Sequence, residues 1–129
     1  MTRILITGWP RAGKTTLAET FVRRGGDYFV RHTDDLIGRL DWSAASAEVA
    51  KWMEEPDGFI IEGVSVARAL RKYRDAHPGE PPPCDRLIYL RTPHVELNAR
   101  QAGMGKGVDS VMAELEPWFL EHGLEVERP

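Results

Sequence analysis

A length of 129 residues suits one compact domain over 1–129 and predicts no second one, while 42% hydrophobic and 29% charged residues are globular proportions that can form a core without staples. A single cysteine, Cys84, excludes an internal disulfide, and the four scattered histidines, His32, His77, His94 and His122, form no metal-ligand cluster with it. The formal charge of −3 argues against a protein that coats duplex nucleic acid, and the apolar runs are too short for a membrane span or a secretory leader, so the expected setting is a reducing cytoplasm with no membrane partner.

Residues 3–7 predict a short buried strand, and 8–13 a loop. Residues 14–24 predict a helix with Leu17, Ala18, Phe21 and Val22 on one face, ended by Gly25 and Gly26. A second strand is expected at 28–31, followed by a short helix over 33–39 capped from Thr33-Asp34-Asp35. Residues 43–54 predict a helix capped by Ser43, Pro56-Asp57-Gly58 a turn, and 59–61 a third strand. A basic helix is expected at 66–76, a proline-rich connection at 77–83 and a fourth strand at 86–90. Residues 93–101 predict a helix, 103–107 a glycine-rich mobile segment, 109–121 a closing helix and 124–127 a last strand. Short, nearly continuous apolar strands alternating with helices predict a three-layer α/β/α P-loop fold, with about five parallel strands and a short lid.

The segment Gly8-Trp9-Pro10-Arg11-Ala12-Gly13-Lys14-Thr15 matches G-x-x-x-x-G-K-[ST] without a gap, between an expected strand and an expected helix. Backbone N–H groups of Gly8, Pro10–Gly13 and the helix start would cradle phosphate oxygens, pyrrolidine nitrogen excepted. Lys14 is expected on the β- and γ-phosphates, Thr15 on Mg²⁺ and Thr16 near the α-phosphate. The Asn-Lys-x-Asp guanine motif is absent, which points to ATP.

In a parallel sheet the strand ends face one crevice, so the residues after each strand narrow the reading. Asp34 after the second strand is the first choice for a base that accepts the proton of an alcohol, and Asp35 the second. Glu62 ends the third strand at the Walker B position, where it would hold Mg²⁺ through water; glutamate there departs from the commoner aspartate. Arg68, Arg71 and Arg74 share one helix face at three-residue spacing, with Lys72 between them, and Arg68 and Arg71 are candidates to hold an anionic substrate. Arg91 ends the fourth strand. Arg100 and Lys106 flank the glycines at 103, 105 and 107, the layout of a lid that delivers a positive charge to the transferring phosphoryl group.

Taken together, these features resemble the nucleoside- and nucleotide-kinase group of P-loop enzymes. The run Gly58-Phe59-Ile60-Ile61-Glu62-Gly63 is similar to the Gly-Phe-apolar-apolar-Asp-Gly stretch of adenylate kinases. The pair Asp34-Asp35 and its distance from Lys14 look like the 5′-hydroxyl polynucleotide kinase domain of phage end-healing enzymes. That resemblance implies Asp34 as general base and Arg39 as holder of a substrate phosphate, one residue further on than the family pattern, with Arg100 as lid arginine. Glu62-Gly63 followed by Arg68-Ala69-Leu70-Arg71 is similar to small bacteriophage kinases that phosphorylate hydroxymethyl groups on modified pyrimidines in DNA. The implied activity is transfer of the ATP γ-phosphate to a hydroxyl of a nucleoside, nucleotide or nucleic acid. A nucleotide-binding regulatory ATPase and a kinase for an antibiotic or sugar share the same motifs, and the acceptor stays open.

Overall fold

The computed structural model describes residues 2–25, 28–36 and 38–129. Gly26, expected to help end the first helix, and position 37 of the expected helix over 33–39 lie outside the described residues. In chain order the elements are β1 (Arg3–Gly8), α1 (Lys14–Arg23), β2 (Phe29–His32), a 3-10 turn (Thr33–Leu36), α2 (Trp42–Trp52) and β3 (Phe59–Glu62). Then follow α3 (Val66–Ala76), β4 (Arg86–Leu90), α4 (Ala99–Glu121) and β5 (Val126–Glu127). All five strands run parallel in the order β2-β3-β1-β4-β5, so β1, which leads into the Gly8–Thr15 loop, is central and β3 lies beside it.

Alternation along the strands divides the core between two faces. Ile4, Ile6, Ile60 and Ile88 pack with Ala18 of α1 on one side. Leu5, Ile61 and Leu87 pack with Val49 and Met53 of α2, Val66 and Leu70 of α3, and Leu115 and Phe119 of α4 on the other. Both faces are apolar, which is why the strands read as continuous hydrophobic runs, and the result is three layers, α/β/α. Cys84 is buried just before β4, and burial pushes its thiol up to about 12, which disfavours the thiolate. Among the described residues, no helix is long and apolar enough to cross a membrane.

The structure departs from the sequence expectation at four elements. The helix expected over 33–39 is a 3-10 turn, Thr33–Leu36. Asp41, not Ser43, caps α2: its side chain accepts from Ala44 N–H at 2.7 Å, and Ser43 lies inside the helix. The last strand shrinks from 124–127 to Val126–Glu127, because Leu124 N–H closes onto Phe119 O at 2.9 Å. The fourth departure is the largest. Residues 93–98 form no helix, and 99–121 form a single one in place of a helix, a mobile glycine segment and a second helix. Asn98 starts α4 through a capping box with Gln101, its Oδ1 accepting from Gln101 N–H at 2.8 Å and the Gln101 side chain accepting from Asn98 N–H at 3.1 Å.

Candidate functional site

β1 runs into the Gly8–Thr15 loop at Gly8, whose φ of 144° is open to glycine alone. A Cβ at Gly8 would overlap the Leu90 carbonyl of β4, and Trp9 N–H donates to that carbonyl at 2.9 Å. The loop continues through Arg11, which takes a left-handed φ of 60°, to Gly13 at the start of α1. His94 N–H donates to Arg11 O at 2.9 Å, so the segment after β4 is fastened to the loop.

Lys14 is 8% exposed, and its Nζ donates to Trp9 O at 2.6 Å across the loop. Burial lowers its pKa from the ordinary lysine value, while the carboxylates of Glu62 and Asp34 act in the opposite direction. A polyphosphate entering the loop would supply negative charge beside an ammonium that burial now disfavours.

Glu62 ends β3 with 1% exposure. Its Oε1 accepts from Thr15 Oγ1 at 3.1 Å and lies 2.8 Å from His32 Nδ1, a contact set by the parallel register of β2 on β3 that pairs His32 with Glu62. Gly63 follows with φ 146°, and a Cβ there would overlap Thr33 Oγ1. Only glycine fits, and the backbone after Glu62 is thereby seated against the start of the 3-10 turn that carries Asp34.

These pieces surround one open cavity of about 640 Å³. The loop from Pro10 to Thr16 forms one wall; Asp34, Glu62, His94, Arg100 and Gln101 contribute to the others. Of the phosphate-loop residues expected to bind nucleotide, Gly8 lies outside this lining and serves the turn beneath it. Asp34 lines the cavity and Asp35 does not, although both are exposed. Arg39 is exposed and outside the lining. Arg71 is turned away, with Nη1 3.5 Å from Glu114 Oε1 of α4, and Arg74 pairs with the same glutamate at 3.0 Å. Arg68 stays near the site but over the Trp42 ring, its guanidinium 5.8 Å from the ring centroid. Arg91 is tied to Asp109 at 3.2 Å.

The expected lid is replaced by the first turns of α4. Arg100 reaches the cavity from there, whereas Lys106 is exposed and lines none of it. Gly105 is buried because the Trp9 indole lies against it, where a Cβ would overlap the ring. Trp9 Nε1 donates to Asp109 Oδ1 at 3.0 Å, and Asp109 also accepts from the Tyr89 hydroxyl and Arg91. Gly105 therefore serves close packing of α4 onto the Gly8–Thr15 loop.

Sequence reasoning missed His32, Trp42, His94, Gln101 and the Trp9–Gly105–Asp109 contact. A polar residue directly before Thr33-Asp34, at a strand end, was the available sign for His32. The others depend on which helix covers the crevice. Thr15 and Glu62 place two hard oxygens side by side in the cavity wall, a set that fits an ion such as Mg²⁺, which takes one or two protein oxygens and completes its shell with phosphate and water. No protein-family model matches this chain, and no curated protein matches it in sequence.

Proposed function

We propose that the protein is an ATP-dependent phosphotransferase that moves the γ-phosphate to a hydroxyl of a nucleoside, nucleotide or nucleic acid. A 5-hydroxymethyl-pyrimidine in DNA and a 5′-hydroxyl end are the first acceptors to try. The observation that supports this reading is the meeting of Lys14, Thr15, Asp34, Glu62 and Arg100 around one cavity. A triphosphate cradle alone serves many activities. A carboxylate and an arginine lining the same cavity as that cradle suit transfer to an alcohol.

The loop N–H groups and the N-terminus of α1 would hold the β- and γ-phosphates, and Lys14 would exchange Trp9 O for a phosphate oxygen. Thr15 and Glu62 would hold Mg²⁺, which supplies charge neutralisation on the β- and γ-oxygens. Asp34 would accept the proton of the acceptor hydroxyl as the acceptor oxygen bonds to the γ-phosphorus. The bond from that phosphorus to the β–γ bridging oxygen breaks, and its electron pair leaves with ADP. Arg100 would stabilise charge on the transferring group.

The test is transfer from γ-labelled ATP with Mg²⁺ to a panel of 5′-hydroxyl DNA, hydroxymethyl-pyrimidine DNA, nucleosides, mononucleotides and sugars. The expected result is label on a nucleic-acid or nucleoside hydroxyl, with Asp34→Asn slowing transfer by about 10²–10⁴-fold while ATP still binds. ATP binding without transfer to any acceptor would replace the kinase by a nucleotide-binding regulatory ATPase. Label on a sugar or antibiotic alone would make it a small-molecule kinase.

A further inference from the structure

A second cavity of about 230 Å³ opens beside the first between α2, α3 and α4, and the two share Trp42, Val64, Arg100 and Met104 as walls. Arg68, Gly103 and Val108 complete the smaller one. Two features of its walls bear on what it could hold.

The first is charge. Arg3, Arg71, Arg74, Arg86, Arg91 and Arg128 each have a carboxylate within ion-pair distance. Among the described residues, Arg68 and Arg100 have none, nor do Arg11, Arg23, Arg24, Arg31 and Arg39 elsewhere; Arg68 and Arg100 are the two of these that border this cavity. Two uncompensated guanidinium groups therefore border a small space walled by an indole and by buried Val64 and Val108.

The second is the helix wall. Glycine inside a helix costs about 1 kcal/mol relative to alanine. At Gly103 packing does not ask for it, since a Cβ would have nothing within 4 Å. One turn on, a Cβ at Gly107 would come 3.4 Å from Arg68 Nη2. These two glycines keep one side of α4 bare where it faces the cavity and the Arg68 head.

We infer that this cavity is the acceptor subsite, and that it takes a planar ring bearing a phosphate: a nucleotide unit, either free or at the end of a nucleic-acid strand. The inference rests on the kinase reading and adds the class of acceptor. The ring stacks on the Trp42 indole against the apolar wall, taking the place over it that Arg68 now holds, and the displaced Arg68 and Arg100 hold the phosphate, guanidinium being suited to both phosphate and aromatic faces. The shared walls put the ring next to the cavity that Asp34 and the phosphate loop line.

Calorimetric titration of the full chain tests this with four probe classes: the four 2′-deoxynucleoside 5′-monophosphates, the matching nucleosides, ribose 5-phosphate, and a short 5′-phosphorylated single-stranded oligodeoxynucleotide. At least one monophosphate, or the oligonucleotide, binds about tenfold or more tightly than the nucleoside or ribose 5-phosphate, the scale of one base–aromatic stack or one charged contact. Tighter binding of the oligonucleotide assigns the site to a strand end, and tighter binding of the monophosphate assigns it to a free nucleotide. Gly103→Leu, which fills the cavity from open space, and Trp42→Leu each weaken that binding about tenfold, with circular dichroism showing the fold intact. Ribose 5-phosphate binding as tightly as any nucleotide, or undiminished nucleotide binding by folded Gly103→Leu, overturns the subsite. ATP binding is titrated separately. ATP bound with no nucleotide or oligonucleotide bound overturns the subsite and leaves the kinase reading; Gly103-dependent nucleotide binding with no ATP bound leaves the subsite and removes the kinase.

Discussion

His32 and Glu62 show how much of the site depends on a single register. The two side chains are far apart in sequence, yet β2 and β3 pair them directly, and His32 Nδ1 lies 2.8 Å from Glu62 Oε1. Glu62 is almost wholly buried, so its lone pairs need partners, and Thr15 and His32 are the ones it has among the described residues. His32 is thus a positioning residue that sets where the Glu62 carboxylate sits. If the proposed Mg²⁺–ATP site is right, His32→Ala is expected to weaken Mn²⁺ binding in the presence of ATP by roughly 10–100-fold, the usual scale for losing a partner of a metal ligand. His32→Asn, which keeps a donor at the same reach, recovers most of it. Paramagnetic titration of bound and free Mn²⁺ reads both, and equal affinity in wild type and His32→Ala would sink the assignment. Glu62 itself was legible in the chain from its place after an apolar strand. His32 was not, because which strand lies beside β3 is not written in either segment.

At the scale of elements, α4 is where sequence and structure part most. Glycines at 103, 105 and 107 read as a mobile lid, since each one weakens a helix. The structure makes them helical for a reason outside the segment: the Trp9 indole occupies the space a Gly105 side chain would need, and Asp109 accepts from Trp9, Tyr89 and Arg91. Tertiary packing overrides propensity, as it commonly does in helices. Gly103 and Gly105 should therefore answer oppositely to the same change. Gly103→Ala adds a methyl in open space and is expected to stabilise the protein by about 0.5–1 kcal/mol. Gly105→Ala drives a methyl into the indole and is expected to cost about 1–3 kcal/mol. Urea unfolding measures both. Equal, small stabilisation by the two variants would mean that 103–107 is the mobile lid after all.

For the whole molecule, the five-strand parallel sheet puts the ends of β1, β2, β3 and β4 at one edge, and the cavity follows from that geometry. The far edge is held by a short strand. β5 pairs with β4 over Leu87↔Val126 and Ile88↔Glu127, and Arg86 Nε and Nη2 donate to Glu127 Oε2 and Oε1 at 2.9 and 2.6 Å. The hydrogen bonds from Arg86 hold the Glu127 carboxyl below its ordinary value, against a smaller opposing effect of burial. A depressed carboxylate contributes stability that is present above the unfolded pKa and lost as pH falls through the folded one. The two side chains are 41% and 38% exposed, so solvent screening keeps the contribution below about 1 kcal/mol. Unfolding free energy should therefore fall slightly less steeply with acid in Glu127→Gln than in wild type below the ordinary carboxylate range. Parallel pH curves for the two proteins would show that the pair does nothing for global stability.

The sequence by itself determined the alternation of strand and helix, the glycine-rich loop from Gly8 to Thr15 and the acids that end or follow β3 and β2. These are local matters: periodicity, glycine at forced backbone angles, and a polar residue closing an apolar run are all visible within a few positions. The tertiary structure alone decided that Asp34 and not Asp35 lines the cavity, that Arg71 turns to Glu114 while Arg68 lies over Trp42, and that the glycine segment is a helix clamped by Trp9. Each of those outcomes depends on which surface faces which across the sheet, and residues distant along the chain supply that surface.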